Sequence, residues 1–186
     1  TGREALIDGP THVPVEMSAA GDGIRFQGGH NGYVRSHGLT LARTLELTLD
    51  GRGLAGEDML LALEDIEKRR FDKALDRAGL KGLRFDIRFH LHPDVDATLD
   101  LGGAAVSMAL KSGEIWVFRA NGEASLSLEQ SVYLEKSRLS PRATKQIVLS
   151  GAAMEYATRV NWSLAKAQET PSAIRDYAMD DVMAVD

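Results

Sequence analysis

The sequence has no cysteine, and this one absence removes disulfide cross-links, thiolate zinc ligands and thiol nucleophiles together. It leaves the compartment open, because proteins of oxidising compartments also do without the residue. Long apolar runs are missing as well. Runs such as Ala104-Ala105-Val106 and Ile115-Trp116-Val117-Phe118 fall far short of the roughly 20 residues that span a bilayer. Positive charge is not in excess: 22 Lys plus Arg stand against 27 Asp plus Glu, a net of −5. No stretch gathers cations as a phosphate-tracking surface requires, which sets nucleic acid aside as a partner. Three catalytic signatures are absent too: a Ser elbow, a glycine-rich phosphate loop ahead of a helix, and His-Glu-x-x-His. The chain opens Thr1-Gly2-Arg3, with neither an initiator Met nor a charged-then-apolar export segment, so a piece of a larger protein is expected.

What remains describes a folded domain. With 186 residues, 44% hydrophobic and 26% charged, the chain can bury one sizeable core. Alternation of period two dominates. Val13, Val15 and Met17 lead through Gly21-Asp22-Gly23 to Ile24 and Phe26, which reads as a hairpin. Leu39, Leu41, Leu45, Leu47 and Leu49 share one parity and end at Asp50-Gly51, the pattern of a half-buried strand closed by a turn. A returning strand is expected over 57–63. The clearest run is Leu83, Phe85, Ile87, Phe89 and Leu91, with Arg84, Asp86, Arg88, His90 and His92 on the other face and Pro93 as terminator. Shorter strands are expected over 98–101, 104–110, 114–119, 124–128, 131–134 and 144–149, and a last one over 154–164. Between them, Ile66, Phe71, Ala74, Leu75 and Ala78 follow helical spacing. The expected fold is therefore all-β, an antiparallel layered β-sandwich over 1–165 with a short helical insertion near 64–81. Residues 166–186, with Pro171 and an acidic stretch from Asp176, form a tail or a short docked segment.

Several groups could carry chemistry. His90 and His92 stand two apart on a strand, which puts them on one face as two ligands of a metal would be. A third ligand is not fixed by the sequence, so they read first as polar-face imidazoles bonded to neighbours such as Arg88. His30-Asn31-Gly32-Tyr33-Val34-Arg35 gathers an imidazole, an amide, a phenol and a guanidinium after a glycine pair, groups suited to a hydroxyl-rich or acidic ligand. The alternative is a strand entrance in which Gly28 and Gly29 turn the chain and Tyr33 packs. Glu57 and Asp58 are neighbours in sequence and on a strand would face opposite sides, so they cannot share a proton. Trp116 and Phe118 share a face and read as buried between layers; exposed, they or Trp162 would form a platform for sugar stacking.

The run Gly29 to Arg35, followed by Arg43-Thr44-Leu45-Glu46-Leu47, Gly53-Leu54-Ala55-Gly56-Glu57-Asp58 and Arg88-Phe89-His90-Leu91-His92-Pro93, resembles the C-terminal part of bacterial heparinase II/III-like proteins. Gly113 to Phe118 and Glu129 to Tyr133 extend the likeness to about residues 22–150. The resemblance implies a polysaccharide lyase in which an N-terminal α/α toroid joins a C-terminal layered β-sandwich, with an acidic polysaccharide in the cleft between. Such lyases remove the proton next to a uronate carboxylate and expel the 4-linked sugar, so charge neutralisation, a base and an acid are required. Those groups come largely from the toroid, and the family's His-x-His-x-Asp segment with its metal-site residues has no match here. No catalytic residue is assigned. The substrate-binding candidates are His30, Asn31, Tyr33 and Arg35, with the Arg35 guanidinium pairing a sugar carboxylate or sulfate. The implied partners are the toroid and the polysaccharide, and the implied compartment is the periplasm. No cofactor is expected in this stretch, and a divalent metal is compatible with the parent protein. A non-catalytic carbohydrate-binding or structural interaction module is the alternative, which a large apolar patch left bare by a missing partner would mark.

Overall fold

A computed structural model describes residues 9–21, 23–79, 81–122, 124–136 and 139–167 of the protein. Within them the chain forms two antiparallel sheets. The larger has eight strands in the order β1 (Val15–Ala20), β2 (Gly23–Tyr33), β3 (Leu39–Thr48), β4 (Gly53–Leu61), β11 (Ala157–Lys166), β8 (Ile115–Asn121), β7 (Ala105–Ala109) and β6 (Asp96–Asp100). The smaller has three, β5 (Leu83–His90), β10 (Arg142–Ala153) and β9 (Ser125–Tyr133). The sandwich expected from the alternation is present.

Strand parity decides what is buried. Phe85, Ile87 and Phe89 of β5, Ile147 and Leu149 of β10, and Leu126 and Leu128 of β9 all face the larger sheet. There they meet Ala97, Val106, Met108, Phe118, Val160 and Trp162. Ile147, Leu149 and Val106 are fully enclosed, and each such side chain contributes about 1.5–3 kcal/mol over an exposed one. Phe89 packs edge-on to Trp162 at 4.8 Å between centroids, and Phe118 stacks on Trp162 at 5.7 Å.

The helical insertion is α2 (Asp65–Arg77), shorter at both ends than the 64–81 expected. Its start is set by a capping box: the Glu67 carboxylate accepts from the backbone N–H of Leu63 at 2.7 Å and Glu64 at 3.2 Å. Phe71 and Ala74 face inward and pack with Leu39, Ala62, Leu83 and Ala153, closing one end between the sheets. A four-residue helix, α1 (Val34–His37), was not expected; one turn carries too little periodicity to show in a sequence. It ends at Gly38, whose φ of +69° lies in the left-handed region, and a Cβ there would collide with the Glu67 carbonyl of α2.

Three other expectations are corrected. The returning strand is β4, earlier than 57–63, because Gly51 ends the turn quickly. The last strand begins at Ala157, so Met154 and Tyr156 precede it. The strands do not follow one meander: β5, β10 and β9 form the second layer, and β11 returns between β4 and β8. Lys166, placed in the tail by the sequence reading, is the last residue of β11, and the tail itself lies outside the described residues. Among those residues no helix is long and apolar enough to cross a membrane.

Candidate functional site

A cleft of about 390 Å³ opens between the two sheets where β5 passes over β3 and β4. Leu39, Leu41 and Arg43 of β3, Leu60 and Asp58 of β4, Val160 of β11, and Leu83, Phe85 and Ile87 of β5 line it, with Tyr33 and His37 from the α1 turn. Inward parity explains the set, since Arg43 shares the face of Leu41 and Leu45, and Asp58 that of Gly56 and Leu60.

At the inner end of the cleft lies a closed polar group. Asp58, only 2% exposed, accepts from Arg43 Nε at 2.6 Å and Nη2 at 2.9 Å, and from Trp162 Nε1 at 2.9 Å. The guanidinium also lies 5.6 Å from the Phe89 ring centroid and 5.9 Å from that of Trp162, within cation–π range. A buried carboxylate needs such partners. With three donors fixed on its two oxygens, the Asp58 carboxylate has its lone pairs engaged by its neighbours and is poorly placed to act on a substrate. Glu57 points to the opposite face and pairs with Arg159 at 3.1 Å, as parity requires.

The outward face of the small sheet is a second polar network. Arg88 bridges Asp86 at 2.7 Å and Glu129 at 2.9 Å, and Ser150 donates to Asp86 at 2.6 Å. The Ser150 hydroxyl and then Arg88 hold the Asp86 carboxyl below its ordinary range. His90 Nδ1 meets Ser131 Oγ at 2.8 Å. His92 lies just past the end of β5 yet keeps to the side of His90: its ring packs edge-on to Tyr133, two residues from Ser131 on β9, at 5.0 Å, and its Nδ1 accepts from Asp94 N–H at 3.2 Å. Among the described residues no group of three or more His, Asp or Glu side chains is gathered as a metal requires.

The four candidates from the sequence do not converge on one pocket. His30 Nδ1 accepts from Gly32 N–H at 3.2 Å, and its ring lies 5.2 Å from that of Tyr33. The Asn31 side chain accepts from the backbone of Thr11 at 2.9 Å and His12 at 3.1 Å and donates to Thr11 Oγ1 at 2.8 Å, fastening the irregular stretch that leads into β1. Tyr33 lines the cleft. Arg35 is exposed on α1 and is not among the cleft's lining residues. The sequence reading missed Arg43 and the inward role of Asp58; charges on the apolar parity of their strands were the available signal. Trp162 and Phe118 are buried at 6% and 2% exposure, and Trp116 is half-buried, so they form no open sugar-stacking platform.

Fold and site together define a two-layer β domain whose strongest polar groups satisfy one another. Residues 4–163 match the model of the family described as "Heparinase II/III-like, C-terminal", and the chain belongs to that family. It is 30% identical over 167 residues to FtsZ-localized protein C of Caulobacter vibrioides, covering 88% of this chain and 27% of that protein. Its fold is similar to part of the heparan sulfate lyase HepC of Pedobacter heparinus, with a TM-score of 0.65 and 8% identity over 87% of this chain and 23% of the lyase. A heparinase III structure aligns at a TM-score of 0.61 and 10% identity, over 83% of this chain and 21% of that enzyme. The chain thus spans about a quarter of the relatives it matches.

Proposed function

We propose that the chain is the C-terminal supporting sandwich of a heparinase II/III-like polysaccharide lyase that acts by β-elimination on uronate-containing polysaccharide. The acid and base belong to an N-terminal α/α toroid, and any divalent metal belongs to that larger protein. The observation that carries this reading is the family match over residues 4–163 together with the likeness in fold to part of a heparan sulfate lyase, and a bare apolar wing offers the place where the rest of such a protein would sit. On β1, β2 and β3, beyond the edge of the small sheet, Val15, Met17, Ile24 and Leu47 are 61%, 68%, 45% and 42% exposed on the face that elsewhere forms the core. A patch of this kind marks a surface that another part of a protein covers, and the toroid is the occupant proposed. His30 and Tyr33, whose rings lie 5.2 Å apart, and the exposed Arg35 on the turn that follows are the residues proposed to meet an acidic sugar chain, and the periplasm is the compartment this activity implies. The test is ultraviolet absorbance of unsaturated uronate product, with this chain and with the longer parent, on heparan and alginate. Product from the parent alone supports the reading, product from this chain overturns it, and silence from both moves weight to the second reading.

That second reading is a non-catalytic interaction module. The 30% identity to an FtsZ-localized protein favours it, as does the wing, which would serve a protein partner equally well. Co-sedimentation of the parent with FtsZ polymers tests it, and a parent left in the supernatant counts against it.

A further inference from the structure

β5 is an outer strand of the small sheet, paired on one side only, with β10. The bond from Leu91 N–H to the Lys145 carbonyl, 3.0 Å, fixes its parity. Antiparallel ladders alternate, so Leu83, Phe85, Ile87 and Phe89 turn their backbone groups toward β10, and Arg84, Asp86, Arg88 and His90 turn theirs away. Among the described residues no backbone bond reaches the outward groups of those four. Edges are usually blunted by proline, a bulge or brevity. β5 has eight residues, no proline and an unbroken register with β10. Charge is the one guard it carries, and most of that is neutralised: Asp86 and Arg88 pair with each other, while Arg84 and nearby Lys81 make no ion pair among the described residues.

The cleft beneath this edge is lined by Leu41, Leu60, Phe85 and Ile87. We infer that the free edge of β5 takes an extended segment of a partner polypeptide as a fourth strand of the small sheet. Alternate apolar side chains of that segment enter the cleft, and an acidic side chain on its other face meets Arg84. The apolar cleft and the local cations Arg84 and Lys81 select alternation of apolar and acidic residues, while the net charge of −5 disfavours a polyacidic run. The inference stands apart from the lyase reading, because it rests on β5 and not on the wing or on sugar.

The experiment titrates the ¹⁵N-labelled chain with a short capped peptide of alternating valine and glutamate. The controls are the same peptide N-methylated at alternate residues and a valine–lysine version. The expected result is shifted, slower-exchanging amides at Arg84, Asp86 and Arg88, with N-methylation weakening binding by roughly 10-fold or more, as loss of a row of hydrogen bonds implies. Arg84→Glu, at an exposed position, is expected to weaken the glutamate peptide by about 5-fold and strengthen the lysine one. Equal binding by the N-methylated peptide, shifts confined to the wing around Val15 and Met17, or no binding at all overturns the inference.

Discussion

One row of paired residues crosses the large sheet from the bare wing to the covered half: Met17, Phe26, Leu45, Gly56, Trp162 and Ala120. All lie on one face, yet Met17 is 68% exposed and Trp162 is 6% exposed. The chemistry of the residues changes little along the row. What changes is the cover, which the small sheet supplies only on the Trp162 side. A strand's parity therefore states which face is apolar and leaves open what lies against it.

The comparison implies a steep gradient in the effect of substitution, and the interior ion pair heads it. Asp58→Ala strands the Arg43 guanidinium and the Trp162 N–H and is expected to cost about 3–5 kcal/mol in urea unfolding; a loss below about 1 kcal/mol would show that water reaches the pair. Leu149→Ala, in the covered half, is expected to cost about 2–5 kcal/mol. On the wing, Met17→Ser in this chain is expected to stay within about 0.5 kcal/mol, and to cost more in the longer parent if a further domain sits there. Equal losses in both proteins would leave the wing without that cover.

The smallest effect expected is a change of pH slope. Lys111 and then Arg142 hold the Asp94 carboxyl below its ordinary range, and the Leu101 N–H and then Ser107 do the same for Asp100. Because the folded value is the lower one, the stabilisation is complete above about pH 4 and is lost as pH falls through the folded value. Asp94→Asn should therefore flatten the fall in urea midpoint between about pH 5 and pH 3. An unchanged fall would mean that these exposed contacts contribute nothing measurable.

The sequence revealed most where one face is buried and the other wet. β5 is the clearest case, because strict alternation from Leu83 to Phe89 needs only the neighbouring sheet to be interpreted. α2 was legible for the same reason at helical period. The insertion of β11 between β4 and β8 was not, since pairing across about a hundred residues leaves no local mark. His90 and His92 show a related limit: their parity puts both against β9, at Ser131 and Tyr133, but parity along one strand names no third partner from another. The Arg43–Asp58 pair was readable as two inward charges, but their meeting depends on the register of β3 with β4.

Gly56 sits opposite Trp162 across the β4–β11 pair, and a Cβ there would run into the indole ring. The indole can lie down over the strand only because that side chain is missing, and lying down is what brings its N–H to Asp58. A methyl group at Gly56 would act as a wedge, lifting the ring off the strand and leaving the carboxylate short of a donor. The smallest residue in the row thus sets the resting posture of the largest.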